Sequence, residues 1–135
     1  LYSTLLSFYP SKKFKFPITV NTDKRGDFAE IMRLGNNGQF SIFTINKNEE
    51  RGGHYHDTKV EKFIILNGKV RFIFFDLNTK KRIKIDISDK DYSIIETIPG
   101  YVHKLINIGN SKVTGAIWSN EEFNKDHPDT FNYKI

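Results

Sequence analysis

The stretch on which the fold and its chemistry both depend is Arg51-Gly-Gly-His-Tyr-His-Asp-Thr-Lys-Val-Glu61. On a β-strand, side chains two residues apart point to the same side, about 6.5 to 7 Å from one another. His54 and His56 are therefore able to converge on one point. Glu61 follows a short turn and opens the next strand, on the face that it shares with Phe63. If that face points inward, the Glu61 carboxylate reaches the same point as the two imidazoles.

A second stretch, Pro99-Gly-Tyr-Val-His-Lys-Leu-Ile-Asn107, supplies a third histidine. His103 shares one face of a later strand with Leu105 and Asn107, and the fold must bring this strand beside the first one. Three imidazoles and one carboxylate form a ligand set that suits Zn, Mn, Fe(II) or Ni. The chain has no cysteine, so a thiolate site is excluded. The sequence thus predicts one divalent metal with these ligands: His54, His56, Glu61 and His103.

Apolar and polar residues alternate with a period of two through most of the chain, which is typical of half-buried antiparallel strands. Strands are predicted over residues 14–20, 28–34, 39–46, 62–66, 69–77, 82–87, 92–96, 102–108 and 113–119. Asn67-Gly68 favours a two-residue type I′ turn, which needs positive φ at both positions, and so predicts a hairpin. This number of short strands predicts an all-β sandwich or barrel.

The length of 135 residues fits one domain with a single core. The barrel is predicted over residues 14–119, between an N-terminal arm of residues 1–13 and a C-terminal arm of residues 120–135. The N-terminal arm begins like the tail of a helix. Because the sequence shows neither a secretory signal nor an apolar stretch of membrane-spanning length, we expect a soluble, cytoplasmic protein with no membrane partner.

The charge pattern argues against a nucleic-acid partner. The formal net charge is +5 and the isoelectric point is about 9.3, but 16 acidic residues are interspersed with 21 basic ones. Only Lys80-Lys81-Arg82 forms a basic triplet, whereas nucleic-acid binding needs a clustered basic face. A basic pocket for a phosphorylated small molecule makes better use of these charges.

The two histidine stretches read H-x-H-x4-E-x6-G, ending at Gly68, and P-G-x2-H-x3-N. They resemble the two motifs of the cupin superfamily, which implies a double-stranded β-helix, or jelly-roll, barrel with short flanking arms. The match departs at Asn48, where the first motif usually begins with Gly. It also departs at Pro99-Gly100, which the second motif usually separates by one residue. Neither departure removes a metal ligand.

Segments spread over nearly the whole chain carry a closer resemblance. They are Asp23-Lys-Arg-Gly-Asp-Phe-Ala-Glu30, Gly38-Gln-Phe-Ser41, Arg51-Gly-Gly-His-Tyr-His-Asp-Thr-Lys59, Glu61-Lys-Phe63, Ile98-Pro-Gly-Tyr-Val-His103, Ile117-Trp118, Asn120-Glu121 and Pro128-Asp-Thr-Phe131. Together they are similar to the C-terminal cupin domain of the CapF-type capsular polysaccharide biosynthesis enzymes, which form UDP-N-acetyl-L-fucosamine. The resemblance implies a zinc-bearing epimerase that acts at C3 of a UDP-4-keto-6-deoxy-2-acetamido sugar.

In that family the ketone is then reduced with NADPH by an N-terminal reductase domain. These residues contain no G-x-x-G-x-x-G nucleotide loop, so we expect them to bind no NADP. The resemblance implies that the natural chain carries the reductase domain as well. It also favours a homodimer, and so do apolar residues in an arm too short to form its own core: Leu1, Tyr2, Leu5, Leu6, Phe8 and Tyr9.

Epimerisation next to a ketone requires an acid or base near the metal and a stabilised enolate oxygen. The candidates for proton transfer are Lys59, Tyr101 and Tyr55. Lys59 is favoured, because burial brings a lysine pKa toward neutrality more readily than that of a tyrosine; a solvated loop lysine is the alternative. Arg51 and Arg25 are candidates for binding the diphosphate in bidentate fashion, although a salt bridge equally explains Arg25.

Arg51-Gly-x-His54 is also similar to a stretch of the dTDP-4-keto sugar 3,5-epimerases, in which the equivalent histidine is a catalytic base. Because His56 follows here, we interpret His54 as a metal ligand instead. Other functions remain open at this point. The same ligand set serves an Fe(II) oxygenase, and the domain could be a non-catalytic module for sugar-nucleotide binding or dimerisation. A metal-free barrel results if the four side chains do not converge.

Overall fold

The computed structural model describes residues 1–135, which form one short helix, two 3₁₀ turns and eleven strands. The helix α1 spans Tyr2–Ser7, and the 3₁₀ turns span Ser11–Lys13 and Gly35–Asn37. The strands are β1 (Asn21–Asp23), β2 (Gly26–Arg33), β3 (Gln39–Ile45), β4 (Glu50–Tyr55), β5 (Glu61–Asn67), β6 (Lys69–Asp76), β7 (Arg82–Ser88), β8 (Ile95–Thr97), β9 (Tyr101–Asn107), β10 (Val113–Ser119) and β11 (Phe131–Asn132). No helix has both the length and the apolar character that a membrane span requires.

Two antiparallel sheets enclose the core. The first has the strand order β1-β2-β3-β10-β5-β8, and the second has the order β11-β4-β9-β6-β7. Strands that are distant in sequence are neighbours in both sheets, since β10 lies between β3 and β5 and β9 lies between β4 and β6. This arrangement confirms the predicted all-β jelly-roll barrel. It also brings His103 on β9 beside the histidines of β4.

Alternating inward side chains from both sheets fill the space between them. On β3, Phe43 and Ile45 point inward, and both are buried. The ring of Phe63 meets the rings of Phe43 and Phe72 edge to face, with centroid distances of 6.0 and 5.5 Å. The His103 ring lies 6.2 Å from the Phe63 ring, so the predicted metal ligands continue directly from the hydrophobic core.

The strand predicted over residues 14–20 is wrong, because the first strand begins only at Asn21. The segment alternates correctly but has no neighbouring strand, and Pro17 in its middle has no N–H group to donate to a ladder. The four side chains predicted to share a half-buried face are all exposed: Phe14, Phe16, Ile18 and Val20. Alternation therefore produces a strand only where the backbone groups find partners.

The hairpin predicted at Asn67-Gly68 is also wrong. Gly68 has a φ of 95°, but Asn67 has no positive φ, so the type I′ turn does not form. The two residues instead lead from β5 in the first sheet to β6 in the second. Gly68 is needed because a Cβ atom there would lie 2.9 Å from the Val113 side chain.

Two smaller differences concern strand ends. The strand predicted from residue 92 begins at Ile95, since Tyr92 adopts a φ of 46°, which lies outside the β region. Residues 120–135, predicted as an arm, contain β11, which pairs with β4 next to the predicted metal ligands.

Candidate functional site

The structure brings the four predicted metal ligands together. One possible ligand atom from each of His54, His56, Glu61 and His103 lies within 4.8 Å of the others. The imidazole rings are separated by centroid distances of 4.7 to 5.3 Å. Oε2 of Glu61 lies 3.3 Å from Nε2 of His56 and 3.2 Å from Nε2 of His103. Four donors therefore surround one point at the end of the core.

A β-bulge in β4 sets the position of His54. The register pairs Gly52 with Lys104 and then His54 with His103, so that Gly53 is an extra residue on β4. Gly52 and Gly53 adopt φ angles of 86° and 81°. A Cβ atom at Gly52 would lie 2.6 Å from the carbonyl oxygen of His103, which explains why glycine is needed there. Without the bulge, residue 53 would face His103.

The C-terminal segment fixes the orientation of His56. Nδ1 of His56 lies within hydrogen-bond distance of the carbonyl oxygen of Asp129. Because a carbonyl can only accept, Nδ1 carries a proton, and Nε2 is the ring nitrogen that faces the other ligands, 3.3 Å from Oε2 of Glu61. No role for Asp129 was predicted from the sequence. Its inclusion in the family-like segment Pro128-Asp-Thr-Phe131 was the only available signal.

A metal requires deprotonated donors, and the electrostatics of the cluster favour that state for His54 and Glu61 but not for His56. Burial, assisted by the neighbouring imidazoles, lowers the pKa of His54 to about 3, so this ring is neutral at pH 7. Burial opposes ionisation of Glu61, yet hydrogen bonds from His103 and His56 bring the pKa of its carboxyl well below the usual range. Burial also opposes protonation of His56, but Glu61 raises the pKa of that imidazole.

The donor set fits a divalent metal. Four-coordinate zinc with bonds of about 2.0 to 2.1 Å to nitrogen and oxygen separates its ligand atoms by roughly 3.3 Å. The Glu61 oxygen lies at 3.3 and 3.2 Å from the two nearest imidazole nitrogens, which agrees with shared coordination. Imidazole and carboxylate are also common ligands of manganese and iron, so the donor types alone do not select one ion.

A cavity of about 480 Å³ opens above this cluster. Of the predicted site residues, it is lined by Arg25, Arg51, His54, His56, Lys59 and Glu61. His103 lies deeper, in the wall of a small adjoining pocket of about 140 Å³. The cavity has further lining residues that were not predicted from the sequence: Asn21, Asp23, Phe28, Glu30, Gln39, Ser41, Ile117, Ser119, Phe123 and Thr130.

Two of the missed residues could have been found from the strand pattern. Gln39 and Ser41 occupy the inward face of β3, which continues into Phe43. Polar residues on an inward face point to a cavity or a buried hydrogen-bond network. Here the Gln39 amide nitrogen donates to Ser41 Oγ at 3.1 Å, and its oxygen accepts from the backbone N–H of Phe123 at 2.9 Å.

Lys59 is buried in the cavity wall, which it shares with three of the predicted metal ligands. Its Nζ donates a hydrogen bond of 2.8 Å to the carbonyl oxygen of Pro128. Its backbone N–H donates to the Asp129 carboxylate at 2.7 Å. The side chain is thus held in place rather than solvated as a loop lysine.

The two tyrosines named as candidates do not line the cavity. Tyr55 projects away from the flanking histidines and stacks on Phe131 with a centroid distance of 5.2 Å. Tyr101 packs against the core, and its hydroxyl donates to Asp76 at 3.4 Å. The structure therefore separates both hydroxyl groups from the cavity that contains Lys59.

Both predicted arginines line the cavity but already have partners. Nε of Arg51 donates to the Thr44 carbonyl at 2.8 Å, and Nη2 donates to the Asp27 carbonyl at 3.0 Å. Burial lowers the pKa of this guanidinium. Arg25 forms a bidentate pair with Asp23, which raises the arginine pKa and lowers that of the carboxyl to about 2.

Comparisons with known proteins identify relatives over almost the whole chain. The profile of the polysaccharide biosynthesis C-terminal domain matches residues 21–131. A UDP-2-acetamido-2,6-beta-L-arabino-hexul-4-ose reductase from Pseudomonas aeruginosa is 39% identical over 131 residues, which cover 97% of this chain and 35% of the relative. The capsular polysaccharide assembling protein CapF from Staphylococcus aureus superposes with a TM-score of 0.95 at 33% identity, covering 99% of this chain and 39% of CapF.

More distant structures share the fold. Oxalate decarboxylase from Bacillus subtilis superposes with a TM-score of 0.70 at 15% identity, covering 85% of this chain and 30% of that enzyme. At this identity only the barrel is comparable. The first two relatives are much longer than the present chain, which spans little more than a third of each.

Proposed function

The chain belongs to the polysaccharide biosynthesis C-terminal domain family, and from this premise we propose that it is a metal-dependent sugar-nucleotide epimerase domain. Its substrate is a UDP-4-keto-6-deoxy-2-acetamido sugar, which it inverts at C3 during UDP-N-acetyl-L-fucosamine formation for capsular polysaccharide. The name of the P. aeruginosa relative supports this substrate class, since it describes a reductase of a UDP-acetamido hexulose.

One observation carries the proposal: the ligands His54, His56 and Glu61 line the same cavity as the buried amine of Lys59. Isomerisation beside a ketone needs stabilisation of negative charge on oxygen together with a group that moves a proton. Both requirements are available within one cavity here. A volume of about 480 Å³ is within the range of small-molecule sites.

We propose that the resident metal is zinc, held by the three histidines and Glu61. When bound, it would supply a Lewis acid for the ketone oxygen next to the carbon that exchanges its proton. The neutral state of His54 and the ionised state of Glu61 suit this role, because both donors are then free to bind a cation.

The protein residues move the proton. A base removes the proton from C3, the C–H electron pair moves toward the ketone oxygen, and a proton is returned to C3 on the opposite face. The carbon is neither oxidised nor reduced overall, so NADPH is not consumed. Lys59 is the candidate for one of these transfers, because this buried residue lines the cavity and Tyr55 and Tyr101 lie outside the lining.

Arg51 and Arg25 are proposed to bind the diphosphate at the cavity wall. Two donors of Arg51 are occupied by backbone carbonyls, which fixes the plane of its guanidinium. A guanidinium fixed in this way can direct its remaining N–H groups at phosphate oxygens without losing further side-chain entropy. Arg25 would engage phosphate alongside its Asp23 partner.

Deuterium incorporation tests the reaction directly. Incubation of the authentic 4-keto sugar with metal-loaded protein in heavy water, without NADPH, is expected to place deuterium at C3. Lys59→Met should lose most of this exchange while retaining metal. Lys62→Met is the matched control, because Lys62 is exposed and paired with Glu96. Absence of exchange in the metal-loaded wild type would leave a sugar-nucleotide binding or dimerisation module.

We propose further that this chain acts within a longer protein that includes an NADPH-dependent reductase domain, and that it forms a homodimer. The short coverage of both relatives supports the first part. The exposed apolar side chains of the N-terminal segment, residues 1–20, support the homodimer, since another copy of the chain is able to cover them.

A further inference from the structure

The C-terminal segment, residues 120–135, contacts the turn that lies between two of the proposed ligands, His56 and Glu61. Residues 57–60 join His56 to Glu61, so the shape of this turn sets the separation of their donor atoms. Of the three imidazoles in the cluster, only His56 has a ring nitrogen bonded to a backbone carbonyl, and that carbonyl belongs to Asp129. Residue 129 therefore contacts a ligand and its supporting turn.

The Asp129 carboxylate binds three consecutive backbone amides of the turn. Oδ1 accepts from the N–H of Asp57 at 2.8 Å, and Oδ2 accepts from Thr58 at 3.0 Å and from Lys59 at 2.7 Å. The Thr58 hydroxyl donates to Oδ2 as well, at 3.1 Å. These amides have no other acceptor. Charge-assisted bonds to successive amides hold the turn in a single conformation.

The backbone of Asp129 takes part through an uncommon conformation. Its φ is 44°, in the left-handed region that aspartate tolerates better than most residues. The side chain is thereby able to hold residues 57–59 while the carbonyl oxygen of the same residue bonds His56. The adjacent carbonyl of Pro128 bonds Nζ of Lys59. Two successive residues thus restrain both His56 and the lysine.

We propose that Asp129 is a positioning residue for the metal centre, which holds residues 56–59 so that Nε2 of His56 faces the metal. This inference rests on the proposed metal site but not on the epimerase reaction. Outer-shell partners of metal-binding histidines are typically worth about 10- to 100-fold in metal affinity. We expect Asp129 to contribute within this range.

The test measures Zn²⁺ affinity of the full chain by competition with a chromophoric chelator. Asp129→Ala should weaken binding about 10- to 100-fold. Asp129→Asn should weaken it less, because its one amide oxygen still accepts from part of the turn. Asp126→Asn is the matched control, since Asp126 lies in the same segment and its carboxylate makes no hydrogen bond. It should bind Zn²⁺ as wild type does.

A double-mutant cycle separates positioning from general stabilisation. His56→Ala removes the ligand through which Asp129 is proposed to act. Asp129→Ala should then reduce Zn²⁺ affinity far less in the His56→Ala background than in wild type. An equal reduction in both backgrounds would overturn the proposal, because Asp129 would not act through His56.

If Asp129→Ala does not fold, Asp129→Asn tests whether Asp129 positions His56 for the metal. Reduced Zn²⁺ affinity in a folded Asp129→Asn protein supports positioning. Unchanged affinity combined with a lower melting temperature of the metal-free protein overturns it and leaves Asp129 as a loop clamp. A wild type that binds no Zn²⁺ overturns it too. Zn²⁺ binding without deuterium exchange removes only the epimerase proposal.

Discussion

The two ends of the chain relate to the barrel in opposite ways. Residues 1–20 are rich in apolar side chains, yet they hydrogen-bond only within themselves. Residues 120–135 are mostly polar, and they bond the barrel repeatedly, including β4 at Gly53 and the turn at Val60. Apolar alternation therefore does not decide which segment joins the fold. The segment that joins is the one whose polar groups find partners on the barrel.

The same contrast extends to the proposed chemistry. The N-terminal segment, residues 1–20, contributes no residue to the lining of the cavity above the candidate metal ligands. The C-terminal segment contributes Phe123 and Thr130 to that lining, and Asp129 bonds His56. The polar C-terminal segment thus contributes to the cavity, whereas the apolar N-terminal segment stays exposed.

The largest expected effect tests which histidines belong to the site. His103→Ala removes a donor and leaves the Glu61 carboxylate without its 3.2 Å partner. Metal affinity should fall by more than about 100-fold, since an outer-shell partner alone is worth about 10- to 100-fold. His127→Ala, on the exposed part of the C-terminal segment, should retain metal. Elemental analysis after purification without chelator measures the bound metal of both variants. Equal metal content in His103→Ala and His127→Ala would contradict the ligand assignment.

The next effect compares two phenylalanines, one from the barrel and one from the N-terminal segment. Phe72 is fully buried, so Phe72→Ala should lower the free energy of unfolding by about 3 to 5 kcal/mol. Phe16 is 76% exposed, and Phe16→Ala should change the free energy of unfolding by no more than about 0.5 kcal/mol. Denaturant unfolding of the two variants provides the measurement. A large loss for Phe16→Ala would mean that the N-terminal segment packs on the barrel after all.

A smaller effect concerns self-association. If the N-terminal segment contacts a second copy, replacing Phe14 and Phe16 by Ser should shift the protein from dimer toward monomer without changing metal content. Light scattering at micromolar concentration distinguishes the two states. A wild type that is already monomeric there would contradict the proposed dimer.

The smallest effect is a pH dependence at the C-terminal segment. Burial alone would raise the pKa of the Asp129 carboxyl. Hydrogen bonds from the backbone N–H groups of the turn have the larger effect and lower this pKa from 3.8 to about 2. Stability from this carboxylate is therefore present above pH 3.8 and is lost as the pH falls toward 2. The stability difference between metal-free wild type and Asp129→Asn should shrink over that interval in acid titrations followed by circular dichroism. A difference that stays constant would contradict the assignment.

The grouping of the four candidate metal ligands could be predicted because its signals are mostly local. His54 and His56 are two residues apart in the sequence, although β4 ends at Tyr55 and His56 lies just beyond it, and Glu61 follows after one short turn. Only His103 required the fold to bring a distant strand alongside, and the jelly-roll order of strands does so through the pairing of β4 with β9. Alternation likewise predicted most strands, since inward and outward faces differ strongly in burial.

The incorrect predictions came from features that depend on a partner elsewhere in the chain. Asn67-Gly68 has the residues of a tight hairpin, but the strands on either side belong to different sheets. Residues 14–20 have the pattern of a strand but no neighbour. Gly52 and Gly53 were visible in the sequence, yet their bulge is meaningful only against the backbone of His103.

The sequence by itself determined the β-class, the set of candidate donor side chains and the exclusion of thiolate ligands, because these follow from residue type and short spacing. The tertiary structure decided which donors share a cavity with Lys59, where the two tyrosines point, and that Asp129 holds His56. The physical reason is that hydrogen bonds and burial are formed between segments far apart in the chain, about 70 residues in the case of His56 and Asp129. Their geometry exists only once the sheets have closed.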